Sequence, residues 1–112
     1  MSADWPGEWL RGVLETMVLS IVSERDSYGY LIASRLDEAG LGAVKGGTLY
    51  PLLNRLESDG ALASEWRRGD GGPGRKFYAL TGHGQQRLER QRAQWALFAE
   101  LSSAVIDGRT RS

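Results

Sequence analysis

Hydrophobic periodicity changes abruptly at residue 60 of this 112-residue chain, and the change limits the folds open to it. Before Gly60, apolar side chains recur at spacings of three and four, the signature of helices with one buried face. After it, two short runs, 61–68 and 75–80, flank Gly69-Asp70-Gly71-Gly72-Pro73-Gly74, which reads as a β-hairpin around a Gly/Pro turn. Leu10, Val13, Leu14, Met17, Val18 and Ile21 predict a helix over 8–24. Asp26 and Ser27 offer capping oxygens to a second stripe, Tyr28, Leu31, Ile32, Leu36 and Ala39, closed by Gly40. Leu49, Leu52, Leu53 and Leu56 form the buried stripe of a third helix, with Gly60 as its stop. Proline is tolerated in the first helical turn, where its missing N–H is not needed, so Pro51 sets that helix start near Gly47 or Thr48. Its other face then carries Thr48, Tyr50, Asn54 and Ser58. Thr81 caps a long final helix over 82–107, whose first turn is weakened by Gly82 and Gly84, and 107–112 read as a frayed tail.

Composition narrows the function. The chain has no cysteine, so disulfides, thiolate nucleophiles and zinc–thiolate sites are excluded. No apolar stretch is long enough to span a bilayer, and the first residues lack the basic-then-apolar pattern of a signal peptide, so a cytoplasmic location and no membrane partner are expected. His83 is the sole histidine and lies between two glycines at a helix start, a poor base for nucleophilic or metal chemistry. The glycine-rich turn fails the phosphate-loop pattern, since Arg75 stands where lysine is required and Phe77 where Ser or Thr would bind magnesium. Gly40-Leu41-Gly42 lacks the third glycine of a dinucleotide fingerprint. No enzyme and no cofactor is called for. The formal net charge is zero, yet residues 1–66 hold five basic and ten acidic side chains, while 67–112 hold nine and four. This split directs attention to an anionic partner on the C-terminal side, with a solvated helix face as the plainer reading.

Three helices followed by a hairpin is the order of a winged helix-turn-helix, in which the third helix enters the major groove of DNA and the wing reaches a neighbouring strand. The fold class expected is therefore mainly α with a β-hairpin wing, extended by a long C-terminal dimerisation helix. The residues suit such a use. A helix opening with Gly47 and Thr48 offers N–H groups and a hydroxyl to a phosphate, with Tyr50 close behind. Asn54, one turn on from Tyr50, can pair with an adenine edge. Arg67 and Arg68 on one arm of the hairpin face Arg75 and Lys76 on the other.

Leu10-Arg11-Gly12-Val13-Leu14-Glu15, Tyr28-Gly29-Tyr30, the run from Gly47 to Glu57, Gly72-Pro73-Gly74-Arg75-Lys76-Phe77-Tyr78 and Leu80-Thr81-x-x-Gly84 together resemble the PadR family of bacterial transcriptional regulators, over about residues 10–98. The resemblance implies a homodimer that binds a palindromic duplex operator, usually as a repressor, in the subgroup with a single C-terminal dimerisation helix. With it, the candidate DNA-binding set is Ser27, Tyr28, Lys45, Gly47, Thr48, Tyr50, Asn54, Arg67, Arg68, Arg75 and Lys76. The division expected is 1–80 for DNA binding and 81–112 for dimerisation, within one structural domain. In relatives that respond to drugs, a tryptophan on the last helix meets a planar aromatic effector. Trp95 occupies a comparable place, and Phe98, Glu15, Thr16 and Leu19 are further candidates for the lining of such a cavity.

Dimerisation also follows from the residues themselves. Leu88, Trp95, Phe98, Leu101, Val105 and Ile106 are more apolar groups than a terminal helix of so small a domain can bury alone, and twofold pairing is the commonest remedy. Trp95 is then either interface core or, with Phe98, a ligand shelf. Trp5 and Trp9 either cover the first helix or anchor an N-terminal segment on a partner. The rival function is a winged-helix module that binds protein through its last helix, for which basic residues on both arms of the wing have no use. The rival DNA-binding family, the multiple-antibiotic-resistance type, has longer chains with dimerising helices at both ends.

Overall fold

The structure, a computed structural model, describes residues 5–68 and 72–109. Its order is α1 (Gly7–Glu24), β1 (Ser27–Tyr28), α2 (Gly29–Glu38), α3 (Gly46–Ser58), β2 (Leu62–Arg67), β3 (Arg75–Leu80) and α4 (Gly82–Ile106). The fold is mainly α with a wing, as the periodicity requires. Leu14, Val18, Leu19 and Val22 of α1, Ile32 and Leu36 of α2, and Leu49, Leu52, Leu53 and Leu56 of α3 meet in one core. The wing and the start of α4 close it with Leu62, Tyr78 and Leu88. Each fully buried leucine contributes about 2 kcal/mol through apolar area removed from water. No helix among the described residues is long and apolar enough to cross a membrane.

Helix ends follow the sequence closely. Gly60 adopts φ +79°, and the N–H groups of Gly60 and Ala61 bond the carbonyls of Glu57 and Leu56 at 3.0 and 2.9 Å. This pair of bonds satisfies the last carbonyls of α3 and needs a left-handed residue, which glycine supplies without strain. It also turns the chain directly into β2. Thr81 caps α4 as expected, its hydroxyl oxygen accepting from the Gly84 N–H at 2.9 Å.

Several expectations are corrected. The hairpin is part of a three-stranded antiparallel sheet of order β1-β3-β2, with Ser27 opposite Tyr78 and Tyr28 opposite Phe77. A two-residue strand is too short to show any period. Asp26 and Ser27 therefore do not cap α2, which begins after Tyr28 with no side-chain cap. Helix α3 starts at Gly46, so Pro51 is its sixth residue and lies beyond the first turn. It leaves the Gly47 carbonyl without its helical donor, at an end that is exposed to solvent. Gly84 is more than a weak helix former. A Cβ there would stand 2.1 Å from the Ala61 carbonyl oxygen, so glycine lets α4 leave the core against the α3–β2 turn. At the other end, the Arg109 N–H bonds the Ala104 carbonyl at 2.9 Å. The rest of the predicted tail, 110–112, and the turn residues 69–71 lie outside the described residues.

Beyond Leu88, α4 leaves the core. The radius of gyration is 16.0 Å and the longest extent 60 Å, against about 13 Å for the radius of a compact chain of this length.

Candidate nucleic-acid interface

Helix α3 buries its leucine stripe and thereby turns Thr48, Tyr50, Asn54 and Ser58 outward, all exposed. Lys45 precedes its first turn, exposed, with no side-chain cap. The Thr48 N–H is already bonded to the Lys45 carbonyl at 2.9 Å, so Gly46 and Gly47, not Thr48, supply the free N–H groups at this positive helix end. Tyr50 is held in place by α2. A Cβ on Gly29 would lie 2.5 Å from the Tyr50 hydroxyl oxygen, so glycine at the start of α2 is what admits the ring. Neither the Gly29 contact nor the position of Tyr30, exposed nearby on α2, follows from helical spacing.

The wing has two faces, set by alternation along each strand. Trp66 stands opposite Lys76 and Ser64 opposite Tyr78 on the face toward α3; Arg67 opposes Arg75 and Glu65 opposes Phe77 on the other. On the inner face the Lys76 ammonium pairs with Glu57 of α3 at 3.1 Å, and the Ser64 hydroxyl donates to the same carboxylate. The Ser64 hydrogen bond and then the Lys76 hydrogen bond hold the Glu57 carboxyl below the usual carboxylate range. On the outer face, Arg67 bridges Asp26 at 2.6 Å and Glu65 at 2.7 Å. The Arg67 and Arg75 guanidinium groups lie over the rings of Phe77 and Tyr28 at 4.6 and 4.5 Å, and these two rings meet edge to face at 5.1 Å. Arg68 and Arg75 are exposed and have no ion pair among the described residues. The four basic wing residues thus fall into two classes: Arg67 and Lys76 are partly neutralised, while Arg68 and Arg75 present their charge to solvent. Between α3 and the wing lies an open cleft of about 500 Å³ lined by Tyr50, Asn54, Trp66, Arg75 and Lys76 among others.

Of the expected DNA contacts, one does not reach the surface. Ser27 is 1% exposed and its hydroxyl donates to the Arg25 carbonyl at 2.9 Å, so it is a strand residue sealed under the sheet. Tyr28 is partly buried and serves as the platform for Arg75.

A second cavity, of about 460 Å³, opens between α1 and α4. Glu15, Thr16, Trp95 and Phe98 line it together, with Trp95 and Phe98 tilted against each other at 5.7 Å. Leu19 does not belong there. It is fully buried on the core face of α1, a position its spacing from Leu14 and Val18 already allowed. Leu88 likewise packs inside the core at 0% exposure and cannot pair with a second chain. Gln91 faces the cavity, accepting from the Thr16 hydroxyl at 2.7 Å, whereas Arg92 turns away to Ser20. Glu15 is the hub. Its carboxylate accepts from Gln91, from Arg87 at 3.0 and 3.1 Å and from Arg55 of α3 at 3.2 Å, while Arg87 also bonds Asp59 at 3.2 Å. Burial pushes its carboxyl up, but the Gln91 amide and the Arg87 charge outweigh it, and the net shift is downward. The cavity wall is therefore tied by hydrogen bonds to the last turns of α3.

A helix-turn-helix whose third helix exposes polar groups beside a basic wing defines a winged-helix DNA-binding protein. Residues 18–90 match the model of the transcriptional regulator PadR-like family. The chain belongs to that family, which is one of transcription regulators and not of enzymes. It is 32% identical to the transcriptional regulator Rv3488 of Mycobacterium tuberculosis over 105 residues, covering 94% of each chain. Among solved structures, it resembles a PadR family transcriptional regulator from Eggerthella lenta, with 39% identity and a TM-score of 0.79, over 88% of this chain and 86% of that one. A PadR-like transcriptional regulator from Bacillus cereus is 30% identical with a TM-score of 0.79, over 88% of this chain and 96% of the other. The chain is thus a DNA-binding transcriptional regulator.

Proposed function

We propose that this regulator acts in the cytoplasm as a homodimeric repressor, with residues 1–80 binding a palindromic duplex operator and residues 81–112 pairing the two copies. The observation that carries the dimer is the surface of α4. Trp95, Leu97, Phe98, Leu101, Val105 and Ile106 are 43–81% exposed along its outer half. Such a stripe buries itself most readily against a second copy, and a twofold dimer presents two α3 helices to two half-sites. The cavity beside Trp95 and Phe98 lies next to this stripe and suits a small planar aromatic effector. The Glu15–Arg55 bond offers a route by which its occupancy reaches α3.

Sedimentation of the wild type and of Leu101→Glu tests the dimer. The wild type should sediment as a dimer at micromolar concentration. Leu101→Glu, placed at a surface site where it leaves the core intact, should be a folded monomer with weakened operator binding. A monomeric wild type would contradict the proposal.

A further inference from the structure

Trp66 stands apart from every other exposed apolar group. The rest of the large ones are Trp5 and Trp9 at the N-terminal end, the α4 residues of the proposed pairing surface, Trp95 included, and Tyr30 and Tyr50 of α2 and α3; Trp66 sits on the wing and is 73% exposed. Tryptophan carries a large apolar surface and a polar N–H, a combination enriched at contact surfaces. Its placement is specific. Trp66 opposes Lys76 on the face turned to α3, and its ring edge lies near Gly74, where an added Cβ would stand 3.8 Å from it. In the cleft between wing and α3 the indole shares the walls with Tyr50, Asn54 and Lys76. A flat apolar face thus lies beside a cation and opposite the polar face of the reading helix.

The geometry points to Trp66 as a DNA-contacting residue, whose indole packs on the deoxyribose of the strand lying between α3 and the wing while Lys76 takes the adjoining phosphate. This rests on the DNA-binding reading and extends it to a residue that charge and helical spacing do not mark. The chemistry is complementary: sugar edges are apolar and phosphates anionic along the backbone, and the indole and the ammonium stand side by side across the strand pair. The neighbouring Glu57 already offsets part of the Lys76 charge, so DNA must displace or share that ion pair, and an uncharged contact beside it adds attraction that salt does not screen.

The test is a titration of wild type, Trp66→Ala, Trp66→Phe and Lys76→Ala with a duplex from the DNA just upstream of the protein's own gene, at several salt concentrations. Trp66→Ala should bind about tenfold more weakly at every salt concentration, as expected for loss of a large aromatic contact. Its log–log salt slope should match the wild type, because no charge is removed. Trp66→Phe should retain most of the affinity. Lys76→Ala should instead reduce the slope by about 0.9. Melting temperatures of the tryptophan variants should equal the wild type, because the side chain is not part of the core. If the wild type binds with salt dependence and Trp66→Ala binds equally well, or loses affinity only through a smaller slope, the assignment of Trp66 is overturned and DNA binding stands. A wild type that binds no duplex overturns both.

Discussion

Asn54 is exposed on α3 one turn from Tyr50, and an amide can make paired hydrogen bonds to an adenine edge. Asn54→Ala should relax base preference at one operator position by about 1–3 kcal/mol, the range for such a bidentate pair. Competition with single-base operator variants reads this directly; uniform weakening over all variants would limit Asn54 to the backbone. Glu15 is half-hidden between Arg87, Arg55 and Gln91. Its folded pKa lies below the ordinary value, so ionised Glu15 stabilises the fold above the unfolded carboxylate pKa, and that stability is lost as pH falls through the folded value. Glu15→Gln should therefore cost about 1–2 kcal/mol near neutral pH, and the gap to wild type should close in acid, once the pH is below the folded value. Denaturant melts at both pH values check the sign. Asn54 was legible in the sequence because it falls on the polar side of a clear leucine stripe. The partners of Glu15 were not, because Arg55, Arg87 and Gln91 lie 40 to 76 positions away and no local pattern brings them together.

Among the elements, those with a full period were readable and those set by tertiary approach were not. Helix α1 differs by one residue from its predicted start, and the Gly60 stop follows from the positive φ that only glycine adopts without strain. Strand β1 has two residues and exists only because β3 lies beside it. Its formation removes Ser27 from the surface and makes Tyr28 a support for Arg75. The start of α4 shows a different limit: propensity treats Gly84 as a weakness, whereas packing makes it a requirement. Gly84→Ala should raise helix propensity yet destabilise the protein by about 3 kcal/mol, because the new methyl meets backbone that cannot yield cheaply. Thermal unfolding distinguishes the two, since propensity alone predicts an increase in Tm.

For the whole molecule, a neutral formal charge conceals a division of labour. Acidic groups of the helical half neutralise part of the wing through Asp26–Arg67 and Glu57–Lys76, and leave Arg68 and Arg75 exposed toward solvent. The projecting α4 carries an exposed apolar stripe between the core and the helix end, and the proposed pairing of two copies rests on that stripe. The order of elements and the exposed polar face of α3 could be read along the chain. The division of the wing cations into those with and those without an ion pair among the described residues could not, because it depends on which carboxylates the fold brings near. The most direct test of the central claim, that α3 and the wing bind duplex DNA, is fluorescence anisotropy of the upstream duplex and a scrambled duplex at two salt concentrations, for wild type and for Arg75→Ala with Lys76→Ala. The wild type should show salt-sensitive binding that the scrambled duplex does not match, and the double variant a log–log slope reduced by about 0.9 for each phosphate contact it loses. Absence of binding to either duplex at low salt, or an unchanged slope in the double variant, would contradict that claim.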